Sequence, residues 1–157
     1  MVAGEPLWQR YGISEGRARR LIAAAARRRD PVYVAVQGAR VLGFVWFQLD
    51  GTFAYSGYVR WIGTAAASRR KGIGSALMKF AEQRILRRGP NVFLLVSDFN
   101  RRAQRFYRAR GYGRVGVLTD YVIPGVTELV YRKTVAPISI LAKARFVPQR
   151  AAKGVRS

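Results

Sequence analysis

Residues 69–75 read Arg69-Arg70-Lys71-Gly72-Ile73-Gly74-Ser75, between a strand pattern that ends near Gly63 and a helical periodicity that begins at Gly72. Their position matters more than the glycines themselves. A helix N-terminus leaves its first amides unpaired and carries partial positive charge, so a phosphate set there is held by backbone N–H groups. Gly72 and Gly74 remove side chains that would keep a diphosphate away from the backbone. Arg69, Arg70 and Lys71 add mobile positive charge at the rim. The stretch therefore predicts a pyrophosphate site where a strand gives way to a helix. Neither of two other phosphate motifs is formed at this helix start: there is no Gly-x-x-x-x-Gly-Lys-Ser/Thr, and Gly74 is followed by Ser75-Ala76-Leu77, which does not complete Gly-x-Gly-x-x-Gly.

Downstream, Ile73, Leu77, Phe80, Ala81 and Ile85 fall on one helix face, and Arg87-Arg88-Gly89-Pro90 ends that helix. Val92 to Val96 reads as a buried strand. Asn100 caps a helix that runs through Arg110 and closes at Gly111. Val115 to Val122 and Thr127 to Arg132 are two further strands, joined by Ile123-Pro124-Gly125-Val126. Upstream, residues 1–12 are short and irregular, anchored by Trp8 and Tyr11. Ser14-Glu15-Gly16 starts a helix that Arg17 to Arg28 continues. Val32 to Val36 is a strand, Gln37 to Arg40 a hairpin turn, and Val41 to Leu49 a strand apolar on both faces, hence inside a sheet. Asp50-Gly51 signals a turn, and a long strand follows from Phe53 to about Gly63. Helices interleaved with hairpins argue for one α/β domain with a mixed sheet.

That domain is expected over residues 1–133. Residues 134–157 form a basic extension in which Val135 to Val147 is apolar enough to dock and the last ten residues are expected to be disordered. The chain has 157 residues, half of them apolar, so one core of ordinary size is available. It contains neither cysteine nor histidine. Disulfides, thiolate metal sites, a cysteine nucleophile and a Ser-His-Asp triad are thereby excluded, and most zinc sites with them; no metal site is expected. No apolar stretch reaches the roughly 18 residues that span a bilayer, and Met1 to Arg10 lacks an apolar signal core. A soluble, cytoplasmic protein is the expectation. The net charge of +21 points either to an anionic partner, such as nucleic acid or the ribosome, or to a biased composition in which arginine greatly outnumbers lysine.

Arg69-x-x-Gly72-x-Gly74 resembles the pyrophosphate signature of the GNAT superfamily of N-acetyltransferases, Gln/Arg-x-x-Gly-x-Gly/Ala. A second block agrees: Asn100-x-x-Ala103-x-x-Phe106-Tyr107-x-x-x-Gly111-Tyr112 is similar to the family's Asn-x-x-Ala-x-x-x-Tyr-x-x-x-Gly-Phe. The two matches cover residues 53–112 and stand in the family's order. The resemblance implies a fold of α/β (α+β) class, with a mixed, mostly antiparallel central sheet of six to seven strands and helices on both faces. It implies acetyl-coenzyme A as cofactor and an amine as acceptor. The amides of Arg70, Lys71, Gly72, Ile73, Gly74 and Ser75, with Arg69, would hold the pyrophosphate. Backbone near Ile62, Gly63 and Thr64 would orient the thioester. Asn100, with Ala103 and Phe106 beside it, would meet the pantetheine region, and Tyr107 would act as general acid.

These residue types suit the chemistry. An amine attacks an acetyl thioester directly, so no protein nucleophile is needed, and a phenol near pKa 10 can supply the leaving group with a proton or hydrogen bond. A lysine-type amine, pKa about 10.4, or an α-amine, about 8, must first lose its own proton. Many family members carry a glutamate on the strand before the pyrophosphate loop, but Phe53 to Gly63 contains no carboxylate. Glu128 is the candidate base. The alternatives are Asp120-Tyr121 and a water chain ordered by Ser56 or Tyr58; as single acids among many arginines, Glu128 and Asp120 otherwise read as surface salt bridges. Trp8, Tyr11, Tyr58 and Tyr121 are expected to line the acceptor pocket. The acceptor itself is a small amine or a protein N-terminus. A second reading keeps the scaffold and makes the chain a basic RNA- or ribosome-associated protein, or an acetyltransferase acting on a ribosomal or aminoacyl-tRNA substrate. A monomer or homodimer is expected.

Overall fold

A computed structural model describes residues 6–53 and 55–140. The expectations that fall on residues 1–5 and 141–157, including most of the basic extension, lie outside the described residues. The elements run in the order α1 (Pro6–Arg10), α2 (Glu15–Arg27), β1 (Val32–Gln37), β2 (Arg40–Thr52), β3 (Ser56–Thr64), a 3-10 turn (Ala66–Ser68), α3 (Ile73–Leu86), β4 (Asn91–Ser97), α4 (Arg101–Arg108), β5 (Gly113–Thr119) and β6 (Thr127–Thr134). Six strands form one sheet in the order β1-β2-β3-β4-β6-β5. Every neighbouring pair is antiparallel except β3 with β4. This is the mixed, mostly antiparallel sheet that the sequence implies.

Helices cover both faces. Val45 and Phe47 of β2 point to the face where Leu77, Met78, Ala81 and Ile85 of α3 and Tyr107 of α4 complete the main core. Phe44 points to the opposite face, against Ile13 and Ala18, with Trp8, Leu21 and Trp61 packed alongside. The alternation of a strand, period two, thus feeds two cores from one element. The approach of α3 to the sheet requires a glycine: a Cβ on Gly57 would stand 2.2 Å from Ile85 Cγ2. A half-buried ion pair ties α3 to β6, with Lys133 Nζ donating to Glu82 Oε2 at 2.8 Å.

Local signals held where the chain needed no distant partner. Ser14 caps α2, its side chain accepting from the Arg17 amide, and Asn100 caps α4, accepting from the Ala103 amide at 3.1 Å. Gly111, at φ 82°, closes α4. Several boundaries differ from expectation, and α4 ends at Arg108 rather than Arg110. Residues 6–10 are helical rather than irregular. Strand β5 stops at Thr119, because Asp120 turns left-handed, φ 53°, and its carboxylate accepts the Gly125 amide at 2.7 Å. Asp50-Gly51 does not turn the chain: β2 continues to Thr52, and pairing slips between Gln48↔Tyr58 and Thr52↔Ser56. Gly51 serves that irregularity, since a Cβ there would lie 2.8 Å from Tyr58 Cβ. Phe53, at φ 49°, falls in the connection that follows, so β3 begins at Ser56.

Candidate active site

Strand β3 ends at Thr64, the 3-10 turn follows, and Arg69 is extended. Arg70 and Gly72 then adopt left-handed conformations, φ 61° and 77°. A left-handed arginine costs roughly 1 kcal/mol, and the two reversals around Lys71 curl the backbone into a nest of amides. The first helical bond runs from the Ala76 amide to the Gly72 carbonyl, 3.0 Å. The amides of Ile73, Gly74 and Ser75 therefore have no partner within the helix. They border a cavity of about 1000 Å³ lined by Arg10, Arg69, Arg70, Arg101 and Arg102 and, among the described residues, by no carboxylate.

This loop fits a diphosphate. A Cβ on Gly72 would meet nothing within 4 Å, so the space above the helix end is open. A Cβ on Gly74 would only touch Thr64 Cγ2, 3.6 Å, and Phe106 Cζ, 3.7 Å, but a longer side chain would fill the cradle. Arg110 reinforces the corner. Its guanidinium donates to Ser75 Oγ and to the Phe106 carbonyl, 3.0 Å, and lies 3.6 Å from the centre of the Phe106 ring.

The cavity continues along a gap in the sheet. β3 and β4 pair only over Gly57↔Val92, Tyr58↔Phe93 and Val59↔Leu94. Beyond Val59 the strands part, while β3 stays paired to β2 through Ile62↔Val45 and Thr64↔Gly43. The other edge of residues 60–64 thus faces the gap. Ile62, Gly63 and Thr64 line the large cavity, as do Asn100, Ala103, Phe106 and Tyr107.

A second chamber, about 250 Å³, adjoins the first. It shares Trp8, Ile62, Asn100, Ala103 and Tyr107 with the first. Tyr107 is 7% exposed and packs edge-on against Phe106 and Tyr112. Burial pushes its phenol well above the usual value, and the nearby Arg110 only partly offsets this. Tyr58, Tyr11 and Glu128 line the second chamber. Glu128, on β6 opposite Ser97 of β4, is 3% exposed. It is a buried carboxylate that accepts the Tyr11 hydroxyl, not a surface salt bridge. Ser97 Oγ shares a hydrogen bond with the same phenol. Burial raises the Glu128 carboxyl above its ordinary value; the Tyr11 bond pulls down and Asp98 pushes up. Burial and then the bond to Glu128 push Tyr11 up to about 12, and burial pushes Tyr58 up to about 12.

Two expected residues fall outside. Lys71 does not line the large cavity, because it sits exposed between the two left-handed residues. Tyr121 is 64% exposed, and Val122 and Ile123 line the second chamber instead. Asp120 itself is exposed and engaged in its turn with Gly125. Sequence reasoning missed Arg10, Arg17, Arg60, Ser97, Arg101, Arg102 and Arg110. The register of β4 against β6 would have found Ser97; the arginines carry no signal that sets them apart in so basic a chain. Among the described residues no helix is long and apolar enough to cross a membrane.

Residues 4–112 match the family model described as the acetyltransferase (GNAT) family. No curated protein sequence matches the chain. Among solved structures the fold resembles a GNAT-family acetyltransferase from Desulfovibrio desulfuricans, at 21% identity and TM-score 0.66, over 76% of this chain and 79% of that one. It also resembles the ribosomal-protein-alanine N-acetyltransferase of Brucella melitensis, at 18% identity and TM-score 0.62, over 78% and 80%. A third likeness is to a streptothricin acetyltransferase assignment from Bacillus anthracis, solved in complex with acetyl coenzyme A, at 18% identity and TM-score 0.59, over 66% and 61%.

Proposed function

The chain belongs to the acetyltransferase (GNAT) family, and from that premise we propose that it transfers the acetyl group of acetyl-coenzyme A to a primary amine held in the smaller chamber. Acetyl-coenzyme A, the family's acetyl donor, supplies an activated thioester. The observation that carries the reading is the meeting of the two chambers at Tyr107, where β3 and β4 part. The amides of Ile73, Gly74 and Ser75, with Arg69 and Arg70 on the same cavity wall, are suited to hold the diphosphate. The free edge of Ile62, Gly63 and Thr64 offers backbone partners to the pantetheine arm. Asn100 spends its side-chain oxygen on the α4 cap, which leaves its NH2 group as donor.

Tyr107 keeps its proton at Oη throughout the working pH range, because burial holds the phenol high. A thiol ionises near 8.5, below even an unperturbed phenol, so complete transfer from this phenol would be uphill. Tyr107 therefore acts at the junction chiefly as a hydrogen-bond donor. Glu128 serves as the base. Its raised pKa brings it closer to that of an amine, and an incoming ammonium takes over the donor position that Tyr11 occupies.

Free-thiol release from acetyl-coenzyme A, measured against a panel of amines, tests the reading. Tyr107→Phe is expected to lower kcat about 100-fold, while coenzyme A affinity by calorimetry changes less than about threefold. Equal rates for wild type and variant on every acceptor remove Tyr107 from the chemistry. The likeness to a ribosomal-protein-alanine N-acetyltransferase supports a protein N-terminus as the other acceptor, and a peptide with free N-terminal alanine belongs in the same panel.

A further inference from the structure

The smaller chamber is charged in an informative way. Among the described residues Glu128 is its only carboxylate, while Arg17 of α2 and Arg60 of β3 line the same space. Both arginines are exposed at the rim. Among the described residues neither has a carboxylate partner: Arg17 reaches the Gly12 carbonyl at 3.4 Å, and the Arg60 guanidinium lies 5.0 Å from the Trp46 ring centre. The rest of the lining is largely aromatic and aliphatic, with Trp8, Tyr58, Trp61, Val122 and Ile123.

Resting on the acetyl-transfer reading above, we propose that the acceptor is a small zwitterion, an α-amino acid with a bulky apolar side chain, with its ammonium at Glu128 and its carboxylate at Arg17 and Arg60. Among the described residues the lining carries two positive charges against one negative, and the whole chain is at +21. An acceptor whose only charge is its ammonium is repelled by that field and leaves both guanidinium groups uncompensated. A carboxylate on the same body matches the planar fork of an arginine and balances the chamber. At about 250 Å³ the chamber falls below the roughly 300–1000 Å³ usual for drug-sized ligands, which favours a single amino acid over a length of peptide. The apolar walls select the side chain.

The test pairs each amino acid with its decarboxylated amine: phenylalanine with phenethylamine, and tryptophan with tryptamine. An alanine-started tripeptide completes the panel, and thiol release is followed under saturating acetyl-coenzyme A. The acid of each pair is expected to exceed its amine by at least about tenfold in kcat/KM, chiefly through KM. Arg60→Gln and Arg17→Gln are expected to bring that ratio toward one, and calorimetry with coenzyme A checks that the donor cavity is intact in each variant. Amines or the tripeptide turned over as well as the amino acids overturn this proposal and leave acetyl transfer standing. A protein that binds acetyl-coenzyme A but releases no thiol with any acceptor overturns both.

Discussion

Glu128 is a carboxylate that folding has made reluctant to ionise. Burial raises its pKa above the ordinary 4.5, and the Tyr11 hydroxyl recovers only part of that cost. The folded state therefore binds this proton more tightly than the unfolded chain does. The resulting destabilisation is absent well below pH 4.5, grows as pH rises through the ordinary value, and levels off above the raised folded-state value. Replacing the group with Glu128→Gln should thus shift the variant's melting temperature upward relative to wild type between about pH 4 and about pH 8. The acid limb of kcat/KM, which should lie above pH 4.5, should vanish in the variant. A melting-point difference that is flat across this range would show that Glu128 does not titrate differently on folding. Tyr107 was legible from its place in a spaced block of residues. The Tyr11–Glu128 pair was not, because 117 positions separate them and only the tertiary fold brings Tyr11 against Ser97 of β4 and Glu128 of β6.

At the scale of elements, the same two glycine-dependent contacts that build α3 can be separated by substitution. Gly72 is left-handed with open space around it. Gly72→Ala should therefore cost only about 1 kcal/mol of stability, the backbone penalty, yet weaken coenzyme A by about tenfold or more, since the methyl group enters the open space that a diphosphate would occupy. Gly57→Ala inverts the pattern. Its Cβ would drive into Ile85, and the overpacked interface should lose about 1–3 kcal/mol in chemical unfolding, with coenzyme A affinity held within about threefold. Helix α3, its glycine start and the Asn100 cap were legible because each signal sits within a few residues of what it controls. Asp50-Gly51 misled because a glycine demanded by close approach to Tyr58 looks, in sequence, like a glycine demanded by a turn. Helix α1 is five residues long, too short to show a period. The Glu82–Lys133 pair joins residues 51 positions apart, and nothing local marks either member.

For the whole molecule, the order of strands is as consequential as any residue. Three strands, β1-β2-β3, stand on one side and three, β4-β6-β5, on the other, and the ladder between them is three residue pairs long. Helix α3 lies across the join, packing on β2, β3 and β4. Coenzyme A bound in the gap would supply partners to backbone edges that the sheet leaves bare, so amide hydrogen exchange should slow on both borders, at residues 60–64 and 95–97. A ligand held at 100 times its Kd adds about 2.7 kcal/mol to folding, and the slowing should exceed that seen in β1 and β5 at the outer rims. The molecule is in this respect an arch whose last stone arrives from solution. Its resistance to heat and to proteases should then rise and fall with the supply of its own acyl carrier, so that abundance of the enzyme and abundance of its fuel are coupled without any separate regulator.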